Sequence, residues 1–288
     1  MALYVNTNSE AIIAQDNLNT TESALNTSMT DLSSGLRINT AADDSSGYAI
    51  SEDLTSQVNG LNEATNNANN AVSLVQTADG ALNDVGQMLQ TIRELTVEYQ
   101  GGTLDSTDQN AIISEVQQLA AQISQIGGQA QFNGIYLFNP SANTTTGAGG
   151  NLTFQVGADQ GQVITIKLQD LTGSSYLQAV LSIGVGVGSG GTISLGEASA
   201  LTSLTTLIDN VSTLASEFGA VQNRLSYTLD NLSTYSENLT SAQATITDVD
   251  MASEETEFTK DQILEQAGIS MLSQAEQNPQ AVLKLLGG

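Results

Sequence analysis

"LTSQVNGLNEATNNANNAVSLVQTADGALNDVGQMLQTI", residues 54–92, decides the fold. Alternate steps of three and four from Leu54 meet Gln57, Leu61, Ala64, Ala68, Ala71, Val75, Ala78, Leu82, Val85, Leu89 and Ile92, and only Gln57 is polar. That spacing lays the apolar positions along one stripe of a long heptad helix. At 1.5 Å per residue the rod is about 58 Å long. The same period runs from Leu204 through Leu207, Val211, Leu214, Phe218, Val221, Leu225, Leu232, Tyr235, Leu239 and Ile246 to Val249, broken at Thr228. This second rod would be about 68 Å long.

Between them, "STDQNAIISEVQQLAAQISQIGG" (106–128) puts Ile112, Val116, Leu119, Ile123 and Ile126 on one face. The reading is a third helix, capped by Ser106 or Thr107, stopped by Gly127–Gly128 and folded back on the first. "QFNGIYLFNP" (131–140) reads as extended. "FQVGADQGQVITIKL" (154–168) reads as two strands of a hairpin, spanning about 152–168, with Gly157 and Gly161 in its turn. "VLSIGVGVGSGGTISLG" (180–196) reads as strand and Gly-rich loop. Both chain ends are weaker helices. Leu18, Leu25 and Leu32 recur every seven residues among Asn, Thr and Ser, and Phe258, Ile263, Leu264, Met271 and Leu272 mark the C-terminal segment. So narrow a seam does not offset its ordering entropy alone, so the ends are expected to fold against each other and against copies of themselves.

The fold class is therefore mainly α, with long antiparallel heptad helices forming a terminal coiled coil and a bundle, and a small β-hairpin region mid-chain. The domain reading is 1–43 with 248–288 as paired ends, 44–139 with 197–247 as a helical shell, and 140–196 as hairpin and loop.

Charge narrows the function. Thirty-one acidic residues stand against six basic ones, a formal net charge of −25. Such a surface repels nucleic-acid phosphates and anionic membranes. Packing many such chains together requires salt, which shortens the Debye length to about 3 Å at 1 M, or acid near the carboxylate pKa of about 4. There is no Cys and no His, which removes thiol and imidazole nucleophiles, bases and metal ligands. The N-terminus has neither a basic n-region nor a continuous apolar core, so export would be by a route without a usual cleavable signal. No run reaches the roughly 18 apolar residues of a membrane span.

Patterns that resemble catalytic motifs read better as structure. "GVGSGG" (186–191) matches G-x-G-x-x-G but runs into "TISLG" instead of opening a helix. Asp43–Asp44 and Asp248, Asp250, Glu254 and Glu255 could pair for glycoside hydrolysis or a hard cation. They fall at helix starts, where acids suit the helix dipole. No catalytic residue, metal or cofactor is predicted.

"NTNSEAIIAQDNLN" (6–19), "ALNTSMTDLSSGLRINTAADDSSGYAIS" (24–51) and "GALNDVGQMLQTIRELTVEYQGGT" (80–103) closely resemble the N-terminal half of bacterial flagellins. "QAQFNGIYLF" resembles the family's Q-F-N-G strand, and "TITDVDMASEETEFTKDQILEQAGISMLSQAEQNPQAVLKLL" (245–286) is similar to its C-terminal signature. The likeness implies a short flagellin without large outer domains. Its paired ends would line the filament channel, and its long helices and hairpin would form the next shell. It implies a homopolymer outside the cell, exported unfolded through a flagellar type III channel, with an export chaperone, a filament cap and hook-junction proteins as partners.

On that resemblance the assembly seam is Leu18, Leu25, Leu32, Phe258, Ile263, Leu264, Leu272, Leu283 and Leu286. Arg37, Asn39, Asp43 and Asp44 match the family's spoke between shells, and Arg93 with Glu94 matches its R-E-L segment. Arg37, Arg93 and Arg224 are expected as charge partners within or between subunits. The family's basic positions near 42 and 53 are Ala42 and Asp53 here, and Thr91 replaces the first Arg of Q-R-x-R-E-L. Weak or no recognition by the animal innate receptor is therefore expected. Two alternatives stand beside this reading: a hook-filament junction protein and a non-flagellar coiled-coil scaffold.

Overall fold

The computed structural model describes residues 8–139, 142–143, 151–169, 171 and 198–286, with backbone alone for 198–199 and 278–286. Five helices run along the described chain: α1 Ser9–Ser34, α2 Ser45–Tyr99, α3 Ser106–Gln129, α4 Ala198–Thr247 and α5 Met251–Leu286. Two antiparallel hairpins lie mid-chain, β1 Gln131–Phe132 with β2 Ile135–Tyr136, and β3 Asn151–Gln155 with β4 Val163–Lys167. The mainly α fold read from the sequence is the observed one. The segment 180–196 lies outside the described residues.

The chain divides into two compact units, one of residues 1–58 and 237–288 and one of 59–236. The helical breaks lie elsewhere, at 35–44 and 248–250. The three-part division of the sequence reading remains a proposal.

In the unit of residues 59–236 the heptad stripe becomes the core. Ala68, Ala71, Val75 and Ala78 are fully buried, Leu61, Leu82, Leu89 and Ile92 nearly so, and Gln57, which precedes this unit, is exposed. From α4 come Leu204, Leu214, Phe218 and Leu225, and from α3 Ile112, Val116, Ala120 and Ile123. At Gly86 of α2 an added Cβ would lie 3.9 Å from Val211 Cγ1 of α4, ordinary van der Waals contact.

The β3–β4 hairpin contributes Ile164 and Ile166 from alternate positions of β4, and these close the same core with Val156, Leu137 and Phe138. Its register pairs Phe154 with Ile164 and Gln155 with Val163. Gly161 sits in the turn at φ +91°, and at Gly157 a Cβ would overlap the Gln162 side chain, so both positions need glycine.

Three local expectations are corrected. The cap of α3 is Asp105, whose carboxylate accepts the N–H groups of Thr107 and Asp108 at 2.8 and 2.9 Å, so Ser106 and Thr107 stand inside the helix. Asp is as good a cap as Ser, and its charge suits the dipole. Gly127 and Gly128 do not stop α3. The helix runs on to Gln129, because Gly127 is buried in the packed face and tertiary contact outweighs the roughly 1 kcal/mol propensity cost. "QFNGIYLF" is not simply extended. Asn133 (φ +50°) and Gly134 (φ +79°) form the two-residue turn of the β1–β2 hairpin, a turn for which Asn-Gly is the preferred pair.

Candidate assembly surface

In the unit of residues 1–58 and 237–288, α1 and α5 pack along each other with closely spaced backbones. Asn8 ties the two ends: its Oδ1 accepts the Ala11 N–H at 3.2 Å, and its Nδ2 donates to the Ala275 carbonyl at 2.8 Å. A Cβ on Gly268 would lie 3.2 Å from Leu18 Cδ1, so small residues set the helix spacing.

The seam is thin and half polar. Leu18, Leu25, Leu32, Phe258 and Leu272 are only half-buried, while the buried positions include Ser28, Asp31, Asp261 and Ala275. Ile263 and Leu264 are left largely exposed, at 62% and 46%, together with Ile12, Ile13, Ile269 and Met271. Leu283 and Leu286 belong to α5, but their side chains lie outside those described. Beside the seam an open groove of about 820 Å³ is lined by Ile13, Ala14, Leu18, Leu264, Met271 and Ala275, with polar neighbours. The predicted seam residues thus divide into an inward set and an outward set. Ser28, Asp31 and Asp261 were missed, because a heptad search counts apolar residues and passes over polar ones at the same spacing.

At the end of this pair two breaks in the helices meet in one antiparallel bridge, Leu36 opposite Asp248. Gly35 ends α1 in the left-handed conformation (φ +75°), its N–H bonded to the Asp31 carbonyl at 2.8 Å. The Arg37 N–H donates to Thr247 O at 2.7 Å, and the Val249 N–H donates to Gly35 O at 3.1 Å, so the breaks after α1 and after α4 are stitched together. The Arg37 guanidinium donates to Ile246 O at 2.8 Å, a cation at the carbonyl end of α4, where the helix dipole favours positive charge.

Asn39, Asp43 and Asp44 build the turn into α2. Asn39 Nδ2 donates to Asp31 Oδ1 and to Leu36 O, each at 2.8 Å. Asp43 Oδ2 accepts the N–H groups of Asn39 (3.1 Å) and Thr40 (2.8 Å) and the Thr40 hydroxyl. The Thr40 N–H is the main cause holding the Asp43 carboxyl below its usual range. Asp31 is pushed the other way: burial raises it most, the Asn39 bond opposes, and Glu254 and Asp43 raise it further by charge. Asp44 Oδ1 caps α2 through the N–H groups of Ser46 and Gly47 at 3.0 and 2.9 Å, and Asp250 Oδ1 caps α5 through Ala252 and Ser253. Of the carboxylates that might have suggested a catalytic pair, Asp43, Asp44 and Asp250 are therefore occupied by backbone N–H groups, and Asp248 accepts the Thr247 hydroxyl at 3.1 Å. Among the described residues no group of three acids could hold a metal ion, and no helix is long and apolar enough to cross a membrane.

In the unit of residues 59–236, Arg93, Glu94 and Arg224 are exposed. Lys260 with Glu257 is the sole ion pair among the described residues, so neither these two arginines nor Arg37 of the other unit pairs with a described carboxylate.

Comparison with known proteins places this architecture. Residues 5–143 match the bacterial flagellin N-terminal helical region and residues 201–286 its C-terminal helical region. The chain is 39% identical over 303 residues to a flagellin of Bacillus subtilis and 37% identical over 292 residues to a flagellar filament 33 kDa core protein of Treponema phagedenis, in both cases with 99% of this chain and all of the relative covered. A flagellin of Salmonella muenchen is 42% identical over 172 residues, which cover 60% of this chain and 32% of that longer protein. Among solved structures, Bacillus cereus flagellin aligns at 27% identity over 58% of this chain and 88% of that one, with a TM-score of 0.45.

Proposed function

Because the chain belongs to the bacterial flagellin family, we propose that its paired terminal helices are the adhesive by which copies add to a growing filament. It is a structural subunit of the flagellar filament, in a short form, and its family is one of structural filament proteins that polymerise with themselves and form the filament outside the cell. Likeness over the full length of filament subunits favours a propagating subunit over a junction protein that closes an assembly, or a scaffold.

One observation carries the adhesive role. The α1–α5 pair leaves Ile12, Ile13, Ile263, Leu264, Ile269 and Met271 exposed beside an open apolar groove, although its own seam is thin and half polar. Covering that surface with neighbouring copies recovers about 25 cal/mol per Å² of apolar area, which the isolated pair forgoes. On this reading Leu18, Leu25, Leu32, Phe258 and Leu272 hold the pair together, Ile263 and Leu264 meet other copies, and Leu283 and Leu286 extend the same helix. Arg37, Asn39, Asp43 and Asp44 fasten the spoke, and Arg93, Glu94 and Arg224 remain for contacts between subunits.

The finer readings follow from the family. The subunit travels unfolded through the flagellar export channel, escorted by an export chaperone, and adds beneath a cap beyond the hook-junction proteins. Thr91 weakens innate-receptor recognition. The net charge of −25 makes polymerisation demand salt or acid, and the caps at Asp44 and Asp250 leave their carboxylates to structure rather than catalysis.

Ile263→Asp tests the adhesive role. The side chain is 62% exposed, so monomer melting should hold, while the critical concentration for seeded growth should rise at least about tenfold. An unchanged critical concentration would contradict the reading.

A further inference from the structure

The seam between α1 and α5 holds a buried acid that nothing around it answers. In α5, Phe258, Asp261, Glu265, Gly268, Leu272 and Ala275 follow heptad steps of three and four, and all are buried or half-buried. Gly268 beside Leu18, and Ala275 bonded to Asn8, fix this stripe as the one that faces α1. Asp261 stands within it at 5% exposure. Asn8 meets Ala275, Leu18 meets Gly268 and Leu36 meets Asp248, an antiparallel register that brings residues 22–25 of α1 opposite Asp261.

Among the described residues the Asp261 carboxylate makes no hydrogen bond and no ion pair. α1 contains neither Lys nor Arg, and its facing segment brings Glu22 instead. Lys260, the next residue in the chain, is exposed and donates to Glu257, so Asp261 acts on it through charge alone. Glu265, four residues on along the same stripe, adds a like charge, a spacing that weakens a helix. Asp31, the other buried acid of the seam, has Asn39 Nδ2 at 2.8 Å. A carboxylate withdrawn from water without such a partner costs free energy that an apolar residue at the same core position would not.

We infer that Asp261 is a brake on the pairing of the chain ends: an acid at a core position of the seam, by which α1 and α5 close weakly in a lone copy and firmly only where neighbouring copies cover the apolar surface beside them. The inference rests on the filament reading and assigns one residue to the barrier against assembly away from a filament end. Its physical content is a sign. Changing a buried residue ordinarily destabilises, whereas replacing buried charge by apolar groups often stabilises. Costly residues of this kind persist where function needs the less stable state. α1 is sensitive to such a brake. Thr20, Thr21, Ser23, Thr27 and Thr30 each turn a hydroxyl back onto the carbonyl four residues earlier, a bond that slightly weakens a helix.

Full-length Asp261→Asn and Asp261→Leu test it, with Glu255→Gln as the control that removes one charge from the exposed face of the same helix. Amide exchange in dilute monomer should slow across α1 and α5 by about threefold in Asp261→Asn and at least about tenfold in Asp261→Leu, and keep the wild-type rate in Glu255→Gln. The gain should persist in about 1 M salt, which screens surface repulsion but not the cost of desolvation. At a concentration where wild type grows only from seeds, Asp261→Leu should form filaments unseeded. Equal or faster exchange in both Asp261 variants would overturn the inference, as would slower exchange without unseeded growth. An effect that Glu255→Gln reproduces, or that salt abolishes, belongs to net charge and would overturn it too. If wild type itself fails to elongate from intact seeds, the filament reading falls and the brake's purpose with it.

Discussion

Gly47→Ala and Gly80→Ala make the same chemical change on one helix and should have opposite signs. At Gly47 the added Cβ would lie 2.5 Å from Asp44 Oδ2 and 2.6 Å from Ile38 Cδ1. The Asp44 carboxylate cannot swing away freely, because its Oδ1 holds the N–H groups of Ser46 and Gly47. Ile38 is 4% exposed and has little room to retreat. Losing the cap costs about 0.5–2 kcal/mol, and displacing a packed side chain about 1–3 kcal/mol. Against this, alanine gains roughly 1 kcal/mol of helix propensity. The net expectation is destabilisation by about 1–3 kcal/mol.

At Gly80 nothing stands within 4 Å of the added Cβ, so only the propensity gain operates and α2 should be stabilised by about 0.5–1 kcal/mol. Urea unfolding followed by circular dichroism at 222 nm reads both, with amide exchange on α2 to assign each change to its own unit. If Gly47→Ala stabilises as Gly80→Ala does, the packing of Asp44 and Ile38 against Gly47 is wrong.

Phe218→Ala, at a 1% exposed core position, should cost about 3–5 kcal/mol of unfolding free energy in the unit of residues 59–236, read by the same urea titration. Arg37→Ala removes an exposed, charge-assisted bond to Ile246 O and should cost about 1 kcal/mol, with faster amide exchange at Arg37 and Val249 as the local sign. Asp31 is raised in the fold, so its contribution grows as pH falls from neutrality through its raised value and is complete near 4. Asp43 is lowered, so its contribution is lost as pH falls further, below about 4. Asp31→Asn should therefore flatten the difference in melting temperature between pH 7 and pH 4. A slope equal to wild type would show that Asp31 is not the group responsible.

The first rod, and the second as far as Leu232, were legible because burial on one face imposes a 3.5-residue period that few polar residues interrupt; beyond Leu232 the predicted stripe is not buried, with Tyr235 exposed and Leu239, Ile246 and Val249 only half-buried. The hairpin was legible because Ile164 and Ile166 alternate with exposed Val163, Thr165 and Lys167. What escaped was decided by context. Asp105, Ser106 and Thr107 are all competent caps, and which one accepts the orphan N–H groups depends on where the preceding turn leaves the chain. Gly127 looks like a terminator until packing covers it. The sidedness of α5 was hidden, since Ile263 and Leu264 are as apolar as Phe258 and Leu272, and only the position of α1 shows which pair faces inward. The seam acids Asp31 and Asp261 could be found only by extending the spacing through polar residues.

Electron microscopy of purified monomer seeded with sheared filament fragments, across a salt series and a pH series, tests the central claim most directly. The comparison is a chain lacking residues 1–40 and 251–288. Assembly through the terminal helices predicts long filaments from the full chain at high salt or mild acid, and none from the truncated chain under any condition. Persistent monomers or closed rings from the full chain, or filaments from the truncated one, would contradict it.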